Sequence, residues 1–275
     1  MKIAVFLSGL YLKEYEVPEL LNLIRQRHTL HFFIDRSKNK KIKKNFFNKV
    51  KHLLYFHKFF LLVILEQKIA QYFNLKSSYL NKIKKKQKKI FLKNIIDIKK
   101  YNITYFKPIK KNNFFIFEKS LKKKIKKNFD VIIFLGFNKL IHENMLNLTK
   151  FGILSFHTAD TEKYRGRPSG FFEFINNEKY GGVTLQRLSK EIDKGEIVFK
   201  KKINILNCKS YEETLYKMMC LKKDILIKGL KTFKKNKIKK NNNINLNKEA
   251  DSKTFVNVSK CLTRTISRRY LNLND

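Results

Sequence analysis

The sequence predicts an α/β fold with a mostly parallel sheet, and its first segments carry the clearest signal. Residues 2–8 are a short apolar run typical of a buried strand, residues 14–27 repeat leucine and isoleucine at helical spacing, and residues 30–34 return to a strand pattern. Strand, helix and strand at this spacing predict two parallel strands joined by a crossover helix. A further apolar run at residues 131–136 predicts another strand, buried on both faces.

The segments after residue 36 follow the same rhythm with one interruption. Residues 37–95 are rich in lysine, contain no glycine or proline, and predict a helical insertion. Its helices are expected at about 44–58, 59–75 and 77–95. The rest of the chain predicts strands at 103–106, 152–158, 182–188 and 196–205, and helices at 119–127, 142–148, 169–176 and 211–235.

The C-terminal end of the chain has a weaker pattern. Residues 234–250 are mostly lysine and asparagine, a composition typical of a mobile linker. Residues 251–275 hold a weak apolar pattern, which predicts a tail that forms either a hairpin or a helix packing back on the domain. We therefore expect one α/β domain over residues 1–233, followed by the linker and the tail.

The formal net charge of +40 resembles that of a nucleic-acid-binding protein, but the composition favours a simpler cause. Lysine accounts for 53 of the 62 basic residues and arginine for only nine, while asparagine, isoleucine and phenylalanine are abundant. An AT-rich coding sequence produces this bias without any need for a polyanionic partner. We expect solvated lysine faces with nonspecific attraction to polyanions, and a dedicated RNA surface is the alternative.

Other features predict a cytoplasmic protein. Met1 leads directly into a strand pattern without a signal peptide, and the longest apolar run, residues 59–65, is too short to span a bilayer. The cysteines lack metal spacing and a disulfide pattern, so we expect reduced thiols at Cys208, Cys220 and Cys261. The sequence also lacks a dinucleotide-binding glycine motif, a phosphate loop and a His-Glu-x-x-His motif. The sequence therefore argues against a nicotinamide cofactor, against ATP-driven chemistry and against zinc-dependent hydrolysis. We expect no metal.

The most informative segment is the strand at residues 152–158, because it carries a histidine at its end. Ser155 and His157 are two residues apart and therefore point to the same face of the strand. Asp193 follows 36 residues after His157, in the acidic turn at residues 191–195. An aspartate that returns on a later turn can orient the imidazole. The pattern therefore predicts a base, its orienting group and a polarising donor around an acyl carbon.

These residues resemble the 10-formyltetrahydrofolate-dependent formyltransferase family. The family's catalytic pattern is Asn-x-His on a strand, followed later by an aspartate in an Asp-x-Gly turn, and it is matched by His157, Asp193 and Gly195. The family's Arg-Gly pair after the histidine loop matches residues 165–166, and its Gly-Val-Thr strand matches the segment that starts at Gly182. The resemblance extends over residues 130–205.

The resemblance implies a Rossmann-like formyltransferase domain with a helical insertion and a short C-terminal appendage. It also implies transfer of a formyl group from 10-formyltetrahydrofolate to a primary amine. His157 would take a proton from the amine or steady the tetrahedral oxyanion, while Asp193 would hold the imidazole and raise its basicity. Ser155 stands where the family has asparagine and would donate to the oxyanion in its place. Loss of such a donor costs ~100–1000-fold in rate, yet the retained histidine, aspartate and loop predict a working enzyme.

The family also implies where the two substrates bind. The pterin is expected beside the loop after the strand at 131–136, held mainly by backbone groups, with the acidic turn closing the other side. The residues that we assign to it are Gly136, Phe137, Leu140, Ile141 and Gly195. The residues that we assign to the acceptor are Tyr164, Arg165, Arg167 and Phe171. A guanidinium fork suits a phosphate or a carboxylate, whereas ordinary packing is the alternative for Leu140, Ile141, Tyr164 and Phe171.

The nature of the acceptor amine is predicted from the chain length and from the loop at residues 163–168. Only 70 residues follow Ile205, too few for the barrel domain of methionyl-tRNA formyltransferases, and the loop is closer to that of the sugar enzymes. We therefore predict an amino sugar carried on a nucleotide. The alternatives are a methionyl-tRNA formyltransferase-like enzyme, a transferase acting on a peptide or small metabolite, and a non-catalytic RNA-binding protein on the same scaffold. The insertion and the tail could each supply an interface for a homodimer.

Overall fold

A mixed sheet flanked by helices organises the protein. The computed structural model describes residues 1–37, 60–75, 78–234, 238–242 and 254–271. The strands are β1 (Lys2–Leu7), β2 (Tyr11–Lys13), β3 (Thr29–Asp35), β4 (Lys89–Phe91), β5 (Asn102–Phe106), β6 (Ile109–Lys111), β7 (Phe114–Ile116), β8 (Val131–Phe134), β9 (Ile153–His157), β10 (Tyr180–Arg187) and β11 (Glu196–Asn204). The α-helices are α1 (Val17–Ile24), α2 (Phe60–Tyr72), α3 (Leu80–Lys86), α4 (Lys119–Asn128), α5 (Phe171–Ile175), α6 (Tyr211–Cys220), α7 (Ile225–Lys234) and α8 (Phe255–Tyr270).

Within the described residues, seven strands form one sheet in the order β11-β10-β9-β8-β1-β3-β5. The five strands from β9 to β5 are parallel, and β10 runs antiparallel to both β9 and β11. The structure therefore confirms the predicted α/β class with a mostly parallel sheet. The chain leaves β1 toward β3 on one side and later returns to β8 on the other, so the strand order reverses between β1 and β8. Ligands of open α/β sheets bind outside the carboxyl ends of the strands at such a switch point.

The two faces of the sheet bury separate apolar cores, because helices cover both sides of the parallel strands. Successive side chains of β1 point alternately into the two cores, so Val5 is buried on one face of the sheet and Phe6 on the other. Phe6 stacks on Phe33 and Phe117, with ring centroids 4.7 Å and 5.0 Å away. Helices α1 and α7 cover the face of Val5, and α4 covers the face of Phe6. Burial on both faces explains why β1 and β8 read as continuous apolar runs.

The region predicted as a helical insertion contains both helix and strand. Helix α2 falls within the predicted helix at 59–75, whereas the predicted helix at 44–58 lies outside the described residues. The predicted helix at 77–95 is wrong after α3, since β4 forms there and pairs antiparallel with β2. The hairpin of β6 and β7 was not predicted from the sequence. Its turn contains Asn112, whose φ is +53°. Asparagine tolerates this left-handed conformation, so the pair at residues 112–113 was the available turn signal.

Two predicted helices are shorter than expected. The segment at 142–148 forms only a 3₁₀ turn, Glu143–Met145. The predicted helix at 211–235 is divided into α6 and α7 by Asp224, whose φ is +69°. At this break the buried Glu19 carboxylate accepts from the first backbone amides of α7, at 2.9 Å and 3.1 Å. A tertiary contact that sequence periodicity does not reveal therefore caps α7.

The tail forms helix α8, the helical one of the two predicted forms, and arginines attach it to the domain. Arg264 donates to the Phe174 carbonyl at 2.7 Å, and Arg268 donates to the Leu206 carbonyl at 2.7 Å.

The division of the chain into domain, linker and tail stays a prediction. No helix within the described part of the chain is long and apolar enough to cross a membrane.

Arg269 joins α8 to two other helices through a buried ion-pair network. Its guanidinium lies 2.7 Å from Glu66 of α2 and 2.7 Å from Glu212 of α6. Glu212 also accepts from the backbone amide of Tyr79 at 3.1 Å. Burial raises the pKa of both Glu66 and Glu212 against the lowering effect of Arg269. Arg269 is thus the cation that opposes the effect of burial on the pKa of both carboxyl groups.

We predict that Arg269→Met lowers the free energy of unfolding by about 3–5 kcal/mol, because it leaves two buried carboxylates uncompensated. The loss should be larger at pH 8 than at pH 5, where protonation relieves the carboxylates. Urea unfolding at the two pH values measures the effect. Lys260→Met, which removes one exposed charge from the same helix, is the control. Equal stability of the Arg269 and Lys260 variants would contradict the prediction.

Candidate active site

His157 ends β9 at the carboxyl edge of the sheet, beside the switch point. Its side chain is only 10% exposed, and its Nδ1 lies 3.3 Å from Asp193 Oδ1. Its Nε2 is buried and has no hydrogen-bond partner among the described residues. A carboxylate on Nδ1 favours the tautomer that carries the proton there and leaves the lone pair on Nε2. The arrangement therefore presents a proton acceptor to the site.

The surroundings of His157 favour its neutral form. Burial lowers the pKa of His157, and the Asp193 carboxylate opposes this effect. The positive charges of Lys222 and Arg167 lower the pKa further. An imidazole with a lowered pKa is unprotonated at neutral pH and can accept a proton.

The Asp193 carboxylate is held from two sides. Its Oδ1, which faces His157, also accepts from Gln186 Nε2 at 3.2 Å, and its Oδ2 accepts from the backbone amide of Gly166 at 3.1 Å. Asp193 itself has φ +52°, which places it in the left-handed region of a tight turn. The backbone and two hydrogen-bond donors thus orient the carboxylate toward the imidazole.

Gly195 and Arg165 support the same turn. A Cβ on Gly195 would lie 2.2 Å from the carbonyl oxygen of Arg187, so only glycine allows the turn to approach β10 this closely. Arg165 is buried and donates from Nε and Nη2 to the Ile192 carbonyl, at 3.1 Å and 2.7 Å. These contacts give Gly195 and Arg165 a structural position in the turn. Their predicted contacts with donor and acceptor stay predictions.

Ser155 and His157 share one face of β9, as their spacing predicts. Ser155 is half-buried, and its hydroxyl makes no hydrogen bond within the described part of the chain. Its partner across the antiparallel pair is Gln186, just as Thr184 is the partner of His157. Sequence reasoning missed Gln186, although its two-residue spacing from Thr184 places both on the face of the site. The structure therefore groups Ser155, His157, Asp193 and the side-chain amide of Gln186.

The loop predicted to receive the pterin follows β8. Gly136 has φ +72°, and a Cβ there would lie 2.9 Å from Glu16 Oε2. The Phe137 side chain is buried in the core against Phe6 and therefore offers no surface to a ligand. Leu140 is 47% exposed, while its carbonyl accepts from Phe115. Ile141 is half-buried against the core. Leu140 is thus the residue of this group with an open side chain, and its role in binding stays a prediction.

The residues predicted to contact the acceptor differ in exposure. Arg167 is exposed, and its guanidinium makes no hydrogen bond or ion pair with the described residues. The Tyr164 hydroxyl donates to Glu178 at 2.9 Å, so its polar group is already engaged by the segment between α5 and β10. Phe171 has no exposed surface and lies in a core cluster with Val258. Packing is therefore the role that the structure gives to Phe171, whereas Arg167 is free to bind an anion.

Part of the predicted linker is ordered beside the site. Lys239 forms an antiparallel bridge with Ile197, and the buried Asn241 donates to the carbonyls of Thr161 and Asp193, each at 3.3 Å. Residues 238–242 thus make defined contacts with the domain, and the mobility of the linker stays a prediction. Lysine and asparagine composition carries no signal for these contacts, because they depend on distant carbonyls.

Comparison with known proteins shows the family to which the chain belongs. Residues 75–230 match the formyl transferase family, and this range is more than half of the chain. The chain therefore belongs to the formyl transferase family. It is 31% identical over 111 residues to a methionyl-tRNA formyltransferase of Thermotoga neapolitana, covering 40% of this chain and 36% of that protein. It is 37% identical over 110 residues to the bifunctional polymyxin resistance protein ArnA of Wigglesworthia glossinidia brevipalpis, covering 40% of this chain and 17% of that protein. The matches thus span about a third or less of these relatives.

Solved structures share the fold over most of the chain. WlaRD, a sugar 3N-formyl transferase solved in the presence of dTDP and 5-N-formyl-THF, has a TM-score of 0.55 at 15% identity and covers 98% of this chain and 81% of its own. The N-formyltransferase of Helicobacter canadensis, in complex with folinic acid and dTDP-3-aminofucose, has a TM-score of 0.56 at 13% identity, covering 98% and 82%. At this identity the similarity concerns the fold alone.

We predict that Asp193→Asn moves the titration of His157 to lower pH, because it removes the negative charge that favours the imidazolium. NMR titration of the labelled imidazole measures the midpoint directly. Glu191→Gln is the control, since it removes one exposed charge from the same turn. An unchanged midpoint in Asp193→Asn would show that the carboxylate does not act on His157.

Proposed function

We propose that the chain transfers a formyl group from 10-formyltetrahydrofolate to the primary amine of an amino sugar carried on a nucleotide. The observation that carries this proposal is the His157–Asp193 pair, with Nε2 of His157 buried and unpartnered at the carboxyl edge of the sheet. A neutral base at this position suits acyl transfer to an amine. The folate and sugar-nucleotide ligands named for the structurally similar enzymes support the same pair of substrates.

In the proposed reaction the amine nitrogen attacks the formyl carbon, and His157 Nε2 takes a proton from that nitrogen. The bond between the formyl carbon and N10 of the donor then breaks, and His157 passes the proton to N10. The products are a formamide and tetrahydrofolate, and His157 returns to its neutral form. Asp193 stabilises the imidazolium that exists between the two proton transfers.

Ser155 is the proposed donor to the oxyanion of the tetrahedral intermediate. Its hydroxyl shares the face of His157 and is not engaged by the described residues. A serine hydroxyl donates one hydrogen bond, as one amide N–H does, but it reaches less far. Gln186 is buried and engaged with Asp193, so its amide serves to position the carboxylate.

The donor and the acceptor are proposed to approach from different sides. The backbone at residues 136–141 and the Asp193 turn would hold the pterin of the donor, with Leu140 offering an apolar side chain. Arg167 would bind the nucleotide phosphates, since its guanidinium is exposed and unengaged. Cytoplasmic location and a homodimer remain predictions from the sequence.

Methionyl-tRNA is the second candidate acceptor. It is favoured by the methionyl-tRNA formyltransferase relatives and by the net charge of +40, which attracts a polyanion. A non-catalytic RNA-binding role would require that Ser155 has abolished turnover. RNA affinity that falls steeply with salt and shows no sequence preference would indicate charge alone.

Calorimetric titration with folinic acid, a stable formyl-folate, tests the proposed donor. We expect micromolar binding by the wild type, weaker binding by Asp193→Ala, and retained binding by His157→Ala as a matched variant of the same pair. Transfer assays with a dTDP-linked amino sugar and with methionyl-tRNA then separate the two acceptors. Absence of folate binding by the folded wild type would exclude the proposed function.

We predict that Ser155→Ala lowers kcat by ~100–1000-fold if its hydroxyl donates to the oxyanion. Ser155→Asn, which restores the amide of the family pattern, should retain or raise kcat. Steady-state kinetics with the acceptor identified above measures both. Wild-type kcat in Ser155→Ala would show that another group stabilises the oxyanion.

A further inference from the structure

The segment at residues 238–242 runs beside the candidate site, and none of the proposed steps uses it. Lys239 and Ile197 exchange two backbone hydrogen bonds, from Ile197 N to the Lys239 carbonyl at 2.7 Å and from Lys239 N to the Ile197 carbonyl at 3.0 Å. Ile197 lies in β11, two residues after Gly195 of the acidic turn. The bridge therefore attaches the segment to the sheet next to the turn that carries Asp193.

Asn241 connects the two halves of the site through one buried amide. Its side-chain Nδ2 donates to the carbonyls of Thr161 and Asp193, each at 3.3 Å. Thr161 follows His157 by four residues in the loop after β9, whereas Asp193 belongs to the turn between β10 and β11. An amide nitrogen carries two protons, so it donates to both carbonyls at once. The segment thus joins the loop that leaves His157 to the residue that orients the imidazole.

The backbone of Asp193 requires support of this kind. Its φ of +52° lies in the left-handed region, which residues other than glycine hold only where their surroundings fix them. Gln186 and the Gly166 amide fix the carboxylate oxygens, whereas Asn241 acts on the main-chain carbonyl. The side chain and the backbone of Asp193 are therefore held by different groups.

An ion pair adds a weaker contact between the same two segments. Lys239 Nζ pairs with the carboxylate of Glu162, which follows Thr161 directly, and Lys200 of β11 pairs with the same carboxylate. The side chain of Lys239 is 70% exposed, and exposed ion pairs contribute little to stability. The buried amide of Asn241 is therefore the stronger connection.

We infer that Asn241 is a positioning residue, which keeps the Asp193 carboxylate against His157 by joining the acidic turn to the loop after β9. The inference rests on the proposed function, because it takes the His157–Asp193 pair as the reacting site. It also makes residues 238–242 part of the unit that performs the reaction, although composition predicts a linker there.

The test is amide hydrogen exchange at Gly166 in the substrate-free protein. This amide donates to Asp193 Oδ2 at 3.1 Å and reports the position of the carboxylate. Asn241→Leu keeps the branched shape and removes the donor without adding charge. We expect Gly166 to exchange about 2–10-fold faster in this variant, which is the effect of one hydrogen bond on a local opening equilibrium. Asn242→Leu, at the exposed neighbouring asparagine, is the matched control.

Titration of His157 gives a readout that stability alone does not move. In Asn241→Leu we expect the midpoint to fall, in the direction of Asp193→Asn but by less, because a displaced carboxylate favours the imidazolium less strongly. The charges of Lys222 and Arg167, which also act on His157, are the same in this variant. An unchanged midpoint in folded Asn241→Leu, with unchanged exchange at Gly166, would overturn the inference.

A comparison within the wild type covers the case in which Asn241→Leu does not fold. If the segment holds the turn, opening of the bridge leaves Gly166 with only its own hydrogen bond to Asp193. After correction for intrinsic rates, Gly166 should then exchange at most about tenfold more slowly than the bridge amides of Lys239 and Ile197. Much stronger protection of Gly166 would show that the turn keeps its place without the segment, and would overturn the inference.

Exchange and titration require no substrate, so they separate the inference from the proposed function. A response of both without folate binding would keep Asn241 as the residue that positions Asp193 and exclude formyl transfer. Where transfer is observed, Asn241→Leu should lower kcat by about 2–10-fold and leave the KM of the acceptor unchanged, because the His157–Asp193 pair acts on the reacting atoms. A higher KM of the acceptor with unchanged kcat would contradict the inference.

Discussion

The candidate site depends on how the Asp193 carboxylate is held. One oxygen accepts from Gln186 and faces His157, and the other accepts from the Gly166 amide. Because both oxygens are engaged, the carboxylate has one orientation, and that orientation leaves Nε2 of His157 as the free proton acceptor. The left-handed backbone of Asp193 and the lack of a side chain at Gly195 make the turn that brings the carboxylate there.

Four of the nine arginines in this lysine-rich chain connect one segment to another. Arg165, Arg264 and Arg268 each donate to a backbone carbonyl of another segment, and Arg269 bridges two buried carboxylates. A planar guanidinium loses less side-chain freedom for each hydrogen bond than lysine does. These four arginines therefore attach the acidic turn and helix α8 to the domain, while lysine supplies most of the solvated surface. Arg167 is exposed and departs from this pattern, as do Arg25, Arg27 and Arg36.

Local composition was a poor guide where order depends on distant partners. Asn241 lies in a lysine and asparagine segment, yet it is buried because the carbonyls of Thr161 and Asp193 accept its amide. Helix α7 starts where Glu19 caps it from another helix. In each case the stabilising partner is far away in sequence, so neither periodicity nor composition can indicate it.

The sequence by itself determined the parallel α/β class, the strand that carries Ser155 and His157 on one face, and the aspartate that orients the imidazole. These follow from apolar runs, from the two-residue period of a strand and from a motif whose histidine and aspartate stand 36 residues apart. Only the tertiary structure decided that Gln186 and Gly166 hold Asp193 and that Phe171 is buried. Those placements arise from packing between segments that are remote in sequence, and pairwise proximity of this kind is not encoded in any local pattern.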